Sequence, residues 1–499
     1  MPKGVRGFHG TVRWLTLLGW SLPDPVRDLV FRSRHAGGQW GVGPGFDEEV
    51  AMTLDVVDAE PEPIAQPATG KPLLPSKDPF HRPPKGFAAK PAGTILRARR
   101  IELALFGIVP QQVSAWQLLY RSCDLHGTPE AAITTVLLPL DADPREDRPL
   151  LAFQTAMDAV TERCAPSYAL RLGAYALGSI TQLEWLLVAN ALRRGWAVSI
   201  ADHEGPHGNF GAPREPGYRA LDGIRAALRF EPLGLHSGTR VAVWGYSGGG
   251  MASSWAVEMA PTYAPEIDIA GAVLGAPVGD PGQVFMRLNG SHFAGLPAIV
   301  IAALRRLYPA LGALIENELT GEGLRMVARA ESTNPVLAVL TLTGKKFDDY
   351  LGRPLTEVLA APAFLAMFDE LRLGNSVPDC PLLVVQPVHD QVIHVDGIDG
   401  QVDRYRRGGA VVSYVRDRLS EHFSLLPLAT PMSLDWLTER LAGQPVSDEE
   451  TRTVWSVVAS PAGVRGLWEM ATTAVLCALG RPLRQESATV ARIPRVRAA

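Results

Sequence analysis

The sequence predicts an α/β fold with a mostly parallel central sheet and helices on both of its faces. Near-continuous apolar runs such as WAVSIAD (196–202) and CPLLVVQP (380–387) alternate with helix-like segments such as SITQLEWLLVANALRRG (179–195). Strands that are apolar on both faces are typical of parallel sheets covered by helices. The chain has 499 residues and a hydrophobic content of 46%, which is enough for a large core.

The predicted elements follow one another in a consistent order. From residue 93, segments rich in aromatic and β-branched residues predict a meander of three strands at GTILRARRIEL, AWQLLYRSCD and AAITTVLLPL. Later strands are predicted at RPLLAFQ, WAVSIAD, RVAVWGYS, IAGAVLGAP, CPLLVVQP and AVVSYVRD. Helices are predicted between them at SITQLEWLLVANALRRG, GYRALDGIRAALRF and MASSWAVEMA.

Two long segments depart from this alternation. The N-terminal part is rich in Gly, Pro, Arg and Asp and predicts an extension with an irregular linker. About 100 mostly helix-like residues before Cys380 are too many for a βα connection, so they predict an inserted helical cap. The predicted division is an N-terminal extension (1–77), a first core part (78–278), the cap (279–379), a second core part (380–442), and a C-terminal helical extension with a basic tail (443–499).

The segment Gly245-Tyr246-Ser247-Gly248-Gly249 fits the pattern G-x-S-x-G between the strand VAVW and a helix. At so sharp a turn the serine backbone is strained, and only small neighbours avoid a clash. The turn raises the Ser247 hydroxyl above the carboxyl edge of the sheet, and the Gly248 amide at the helix N-terminus can donate to an oxyanion. The motif therefore predicts a nucleophile, with an incidental serine in a Gly-rich turn as the alternative.

A nucleophilic serine needs a base and an acid, which follow it in the order Ser, Asp or Glu, His. His422, in LSEHFSLLPLA, follows the last predicted strand and opens a helix, so it is the predicted base. Asp390 directly follows CPLLVVQP and is the predicted acid, with Asp396 and Asp399 as rivals. The other histidines after the serine lie in the cap or beside the acid: His292, His389 and His394. A second oxyanion donor is expected from the loop that follows the strand RPLLAFQ. The place of this loop in the sequence narrows the donor only to residues 155–160.

Several segments together resemble the secretory lipase family typified by Candida antarctica lipase A. They are CAPSY (164–168), ADHEGPHGNFGA (201–212), LDGIRAALR (221–229), GYSGGG (245–250) and TYAPEIDIAGAV (262–273), and the resemblance covers roughly residues 78–440. It implies an α/β-hydrolase fold with a helical cap and activity on carboxylic esters and lipids. It also implies Ser247 as nucleophile, Asp390 as acid, His422 as base and the backbone amide of Asp158 as the second oxyanion donor. Cys164 is disulfide-bonded in the family, but residues 335–350 here contain no cysteine.

The expected reaction is hydrolysis of acylglycerols or fatty-acyl esters through an acyl-enzyme. The alternatives are an acyltransferase with the same triad, a serine peptidase of the same fold, and a non-catalytic hydrolase-like binding protein. An ester or lipid is the expected partner, with a lipid–water interface as a further candidate. No cofactor is expected, and the chain has no C-x-x-C pair that would indicate a metal.

Charge and hydropathy give no indication of a nucleic-acid-binding or a membrane-spanning protein. The net charge of −4 gives no indication of nucleic-acid binding. The longest apolar region is interrupted by Arg305 and Arg306, so no transmembrane helix is predicted. The segment TVRWLTLLGWSLPD contains Arg13 and no A-x-A site follows it, so a signal peptide is not predicted. The resemblance implies a secreted or cell-surface protein, and the cytoplasm is the alternative.

Overall fold

The computed structural model describes residues 71–446 and 449–485. Most of the predicted N-terminal extension (1–77) and the basic tail after residue 485 lie outside the described residues. The predicted meander, core strands, cap and C-terminal helix all fall within them.

The described residues form one large, mostly parallel sheet of ten strands with the order β1-β4-β5-β7-β6-β8-β9-β10-β11-β12, and a separate β2–β3 hairpin. The strands are β1 Ile95–Arg100, β2 Leu103–Leu105, β3 Val109–Gln111, β4 Ser114–Cys123, β5 Pro129–Leu138, β6 Leu150–Gln154, β7 Ala197–Ala201, β8 Val241–Tyr246, β9 Ile269–Gly275, β10 Leu382–Pro387, β11 Val412–Asp417 and β12 Thr451–Val454. Within the ten-stranded sheet, neighbouring strands are antiparallel along β1-β4-β5-β7 and parallel along β7-β6-β8-β9-β10-β11-β12.

Helices cover both faces of this sheet. The α-helices of the described residues are α1 Pro166–Ala169, α2 Thr181–Arg193, α3 Glu215–Leu228, α4 Gly248–Tyr263, α5 Pro281–Leu288, α6 Gly295–Leu304, α7 Pro309–Glu318, α8 Gly321–Ser332, α9 Pro335–Leu342, α10 Leu355–Leu359, α11 Pro362–Leu371, α12 Val395–Arg407, α13 His422–Leu441 and α14 Pro461–Ala478. One face packs against α3, α4 and α12, and the other against α2 and α13. Helix α14 packs on α2 and α13 as an outer element.

Alternate residues of one strand show why both faces must be covered. On β8, Val241 and Val243 belong to the apolar cluster on the α3–α4 face, whereas Ala242 and Trp244 belong to the cluster on the α2–α13 face. Because successive side chains of a strand point to opposite faces, an all-apolar strand buries itself only between two layers. The predicted α/β class with a mostly parallel sheet is confirmed.

Seven helices, α5 to α11, lie between β9 and β10 in a segment that the structure describes throughout. They occupy the region for which the sequence predicts an inserted cap, and the division of that region from the core stays a prediction. None of the helices in the described residues is by itself long and apolar enough to cross a bilayer, and the pair α6 and α7 meets such a test only jointly, across a bend of 115°.

The segment after residue 442 contains a strand as well as the predicted helix. Strand β12 pairs in parallel with β11 and forms the edge of the sheet. Its sequence TRTV is mostly exposed and has no apolar run, so a pattern of buried residues could not reveal it. The partner strand β11 supplies the hydrogen bonds that make this segment extended.

Candidate active site

Ser247 lies at the turn between β8 and α4, above the carboxyl edge of the sheet. Its backbone has φ 54° and ψ −120°, a conformation that is rare and strained for a residue with a side chain. Its amide donates to the carbonyl oxygen of Gly275 at 2.8 Å, which ties the turn to β9. The strand, the strained residue and the helix together form the turn that the sequence predicts.

The glycines around Ser247 are required by close backbone approach. A Cβ on Gly245 would overlap the carbonyl oxygen of Gly249, and one on Gly249 would overlap the carbonyl oxygen of Gln154. A Cβ on Gly248 would overlap the carboxyl oxygen Oδ1 of Asp158. The helix therefore approaches the ends of β6 and β8 more closely than any larger residue allows.

His422 is the first residue of α13 and faces Ser247. Its Nε2 lies 3.0 Å from Ser247 Oγ, and its Nδ1 lies 2.8 Å from Asp390 Oδ2. A capping box formed by Glu421 and Ser424 begins the helix at this residue. Since the Asp390 oxygen accepts from Nδ1, Nε2 is left to accept the hydroxyl proton of Ser247.

Asp390 is held in place by the loop that follows β10. Its Oδ1 accepts from the amides of Val392 and Ile393, both at 2.7 Å, and its Oδ2 also accepts from Gln386 Nε2 at 3.2 Å. Asp390 and His422 are each 3% exposed, whereas Ser247 is partly exposed. The structure thus brings together the three residues Ser247, His422 and Asp390, with solvent reaching mainly the serine.

The rival residues lie elsewhere. Asp399 accepts from Tyr414 Oη at 2.8 Å and pairs with Arg416. The Asp396 carboxyl is mostly exposed beside His394, whose ring caps α12. His292 and His389 are exposed on loops.

Two further residues position His422, and sequence patterns point only weakly to either. Tyr246 Oη donates to the His422 carbonyl oxygen at 2.6 Å. Gln391 accepts from the His422 amide at 3.2 Å and donates to Glu421 at 2.5 Å. Tyr246 occupies the variable position of G-x-S-x-G, and Gln391 is adjacent to the acid, which is the only sequence signal that either carries.

Asp158 lies in the loop after β6, and its role in binding an oxyanion stays a prediction. Its backbone amide, predicted as an oxyanion donor, donates instead to Glu204 Oε1 at 3.0 Å. Asp158 has a φ of 48°, and its carboxyl group rather than its amide lies against Gly248. This hydrogen bond joins two residues that are 46 positions apart in the sequence, and Glu204 lies in the DHEG segment.

Buried polar groups hold the whole loop after β6. Glu184 accepts from the Ala156 amide at 2.9 Å, and His203 Nε2 donates to the Thr155 carbonyl oxygen at 2.8 Å. Burial raises the pKa of Glu184 and of Glu204 well above the ordinary value for glutamate. Burial disfavours the charged form of each acid, and the hydrogen bonds from the loop amides act in the opposite direction.

Asp158 belongs to the same buried group, and its carboxyl lies against Gly248, the residue after Ser247. Burial raises the pKa of its carboxyl to about 7, and the nearby His422 acts in the opposite direction. Its Oδ1 is buried and has no hydrogen-bond partner among the described residues. Below about pH 7 the carboxyl carries a proton and can act as a hydrogen-bond donor.

This chain is similar to several known proteins. A family model described as secretory lipase matches residues 170–449. The chain belongs to the secretory lipase family. A probable inactive lipase of Mycobacterium tuberculosis is 49% identical over 413 residues, which are 83% of this chain and 93% of that protein. Lipase A of Arthroderma benhamiae is 33% identical, covering 84% of this chain and 91% of its own length.

A solved structure gives the same fold. The X-ray structure of Candida antarctica lipase A matches with a TM-score of 0.71 and 24% identity, covering 83% of this chain and 98% of that one. This similarity confirms the α/β-hydrolase fold expected of the secretory lipase family. The names of the relatives include both lipases and a probable inactive lipase, so family membership does not establish that this member hydrolyses esters.

Helices between β9 and β10 of this secretory lipase family member line an apolar pocket of about 70 Å³. Its walls are formed by aliphatic and aromatic side chains of α5, α6, α7, α10 and α11, among them Phe285, Ile301, Ile315 and Met367. Helix α5 also reaches the site, because Arg287 donates to the Asp390 carbonyl oxygen at 2.8 Å. The walls come from helices distant in sequence, which is why the sequence could not name them.

The four cysteines of the chain are all buried and unbonded, so Cys164 forms no disulfide in this structure. Within residues 71–446 and 449–485, no group of three or more His, Cys, Asp or Glu side chains could hold a metal ion.

The buried hydrogen bond from Tyr246 to His422 gives a first prediction. We expect Tyr246→Phe to lower the free energy of unfolding by roughly 1–3 kcal/mol, because a buried carbonyl oxygen loses its donor. Urea unfolding followed by circular dichroism measures this. The control is Tyr175→Phe, an exposed tyrosine for which we expect a change within about 0.5 kcal/mol. Equal stability of the two variants would contradict the prediction.

Proposed function

We propose that this chain is a serine hydrolase that cleaves carboxylic esters of fatty acids, with acylglycerols as the preferred class. The observation that carries the proposal is the continuous hydrogen-bond chain from Ser247 through His422 to Asp390, with distances of 3.0 and 2.8 Å. A strained turn presents the serine, and the acid and base behind it are buried. This arrangement suits nucleophilic attack on an acyl carbon.

In the proposed reaction, His422 Nε2 takes the proton of Ser247 as the hydroxyl oxygen attacks the ester carbonyl carbon. Asp390 keeps the imidazole oriented and stabilises the positive charge that forms on it. The tetrahedral intermediate collapses when His422 gives the proton to the leaving alcohol, and an acyl-enzyme on Ser247 remains. Water, deprotonated by His422, then attacks the acyl carbon and releases the acid and the free serine.

The oxyanion is proposed to lie between two donors. The first is the Gly248 amide, at the N-terminus of α4, where the leading amides have no partners within the helix. The second is the protonated carboxyl of Asp158, in place of its amide, because the amide is engaged by Glu204 while the unpartnered Oδ1 lies against Gly248. A neutral acid held in a buried site can donate to an oxyanion at neutral pH.

The apolar cavity among the inserted helices is the proposed binding site for the acyl chain. Its walls are aliphatic and aromatic, and α5 connects it to the Asp390 loop. An apolar cavity favours the hydrocarbon part of a substrate and gives no hydrogen bonds to a peptide, which favours an ester lipid over a peptide substrate.

Ser247→Ala tests the proposal directly. With p-nitrophenyl esters from acetate to palmitate, we expect the wild type to be fastest on medium or long acyl chains and the variant to lose hydrolysis by about 10⁴-fold or more. The control Ser332→Ala changes an exposed serine of α8 and is expected to keep full activity. A wild type that neither hydrolyses esters nor reacts with a fluorophosphonate at Ser247 would favour the non-catalytic alternative.

Addition of an alcohol to the same assay separates hydrolase from acyltransferase. A hydrolase releases mostly free acid in dilute alcohol, whereas a transferase makes mostly the new ester. Hydrolysis limited to acetate would contradict the assignment to long-chain lipids while leaving the serine mechanism intact.

The Asp158 carboxyl generates a pH prediction. The raised pKa of about 7 means that the donor form is present below that pH and is lost as the pH rises through it, so wild-type kcat should fall on the alkaline side. Asp158→Asn keeps a neutral donor and should retain its kcat above pH 8. Asp158→Ala should lose about 10²–10³-fold at every pH.

The pH profiles of kcat for the wild type, Asp158→Asn and Asp158→Ala test whether the Asp158 carboxyl is the donor. An alkaline fall that persists in Asp158→Asn would show that another group titrates. Full activity of Asp158→Ala would show that the carboxyl is not a donor.

A further inference from the structure

Helix α14 carries its large apolar side chains on the side that faces away from the sheet. The residues that it buries against the protein are small, namely Gly463, Gly466, Thr473 and Cys477. The large apolar residues are between 57% and 76% exposed, namely Val464, Trp468, Val475 and, directly after the helix, Leu479. A surface helix normally buries its large apolar residues and exposes its polar ones. We call the four exposed residues the outer stripe.

Close packing explains why the inner side of α14 is built from small residues. A Cβ on Gly466 would overlap Pro431 of α13, and a Cβ on Gly463 would overlap the backbone of Val458. Thr473 Oγ1 accepts from Arg193 of α2 at 2.7 Å. The backbone of α14 therefore lies too close to its neighbours for a tryptophan or leucine to fit between them. Packing on α2 and α13 leaves the outer stripe outside.

The members of the outer stripe are spaced symmetrically along the helix. The first two are 4 positions apart, the last two are also 4 positions apart, and 7 positions separate the inner members. The midpoint falls between Ala471 and Thr472, which are both small and exposed. If two copies of α14 cross antiparallel about a twofold axis at this midpoint, Trp468 of each copy meets Val475 of the other. The outer members pair in the same way, and the small residues at the crossing let the two helix axes approach closely.

The area of the outer stripe and the charge beside it favour a second copy over a lipid surface. The exposed parts of its side chains amount to roughly 500 Å² per copy, or about 1,000 Å² for a pair, which reaches the size of a specific protein interface. The charged residues of α14 are Arg465 and Glu469, whose Nε and Oε1 atoms lie 3.8 Å apart. A helix that lies on a lipid surface is usually rich in Lys and Arg on its polar face, and α14 is not.

We propose that α14 is the interface through which two copies of this chain form a twofold-symmetric dimer, with their outer stripes antiparallel. In this dimer each large side chain of one stripe is covered by a large side chain of the other. The inference does not depend on the proposed function, because it uses no residue of the candidate active site.

Sedimentation-velocity ultracentrifugation of the full chain measures the dimer. Between about 0.1 and 50 μM, we expect the monomer of 53.8 kDa to give way to a species of twice that mass. Trp468→Ser with Val475→Ser should raise the Kd at least about 100-fold, because each substitution acts on both halves of a symmetric interface. The matched control is Leu337→Ser with Leu340→Ser on α9, where the residues are 46% and 69% exposed, and its Kd should stay within about 2-fold.

Single cysteines test the antiparallel arrangement without weakening the stripe at its inner members. The four natural cysteines are buried, so an introduced exposed thiol is the one that reacts. Ala471→Cys lies beside the twofold axis and should form a disulfide between two copies under mild oxidation. Val464→Cys alone should not, because its two copies lie about 22 Å apart along the helices. A mixture of Val464→Cys and Leu479→Cys should form the disulfide again.

Four results would overturn the proposal. They are a wild type that stays monomeric at the highest concentration, a dimer whose Kd the Trp468→Ser, Val475→Ser variant leaves unchanged, an equal loss in the α9 control, and a disulfide of Val464→Cys with itself. A monomer that binds phosphatidylglycerol vesicles, and loses that binding in the same variant, would assign the outer stripe to a lipid surface instead. Circular dichroism checks that the variants are folded, and the cysteine experiment gives its result without the double serine variant.

Discussion

The rest of the site depends on the strained backbone of Ser247 between β8 and α4. A residue with a side chain at φ 54° persists only where its surroundings leave no alternative. Here the amide of Ser247 is bound to Gly275, and α4 approaches β6 so closely that Gly249 has no room for a side chain. Packing of the helix against the sheet thus determines where the hydroxyl lies, and the other groups are arranged around that position.

The surrounding groups reach this position from separate parts of the chain, each through buried hydrogen bonds. Tyr246 and Gln391 hold the backbone of His422 at the start of α13, while Asp390 holds its ring. On the opposite side, Glu184, His203 and Glu204 hold the loop that carries Asp158. Buried polar groups with defined partners restrict a site to one geometry, at the cost of titratable acids in the interior.

Relatives in the secretory lipase family are named lipases and, in one case, a probable inactive lipase, so activity depends on the residues of each member. What favours activity here is local chemistry. The serine, histidine and aspartate are within hydrogen-bonding distance, and the serine side is open to solvent. The apolar pocket lined by helices between β9 and β10 suits a substrate with a long hydrocarbon part.

The sequence by itself determined the α/β class, the turn at Ser247 and the order of Asp390 and His422, because apolar periodicity and a Gly-rich turn are local patterns. It could not reveal β12, whose polar residues become a strand only by pairing with β11. Only the tertiary structure decided that the carboxyl of Asp158 and not its amide lies against Gly248, and that Tyr246 and Gln391 hold the backbone of His422. Contacts between residues distant in the chain arise when helices and strands pack, and no local pattern records them.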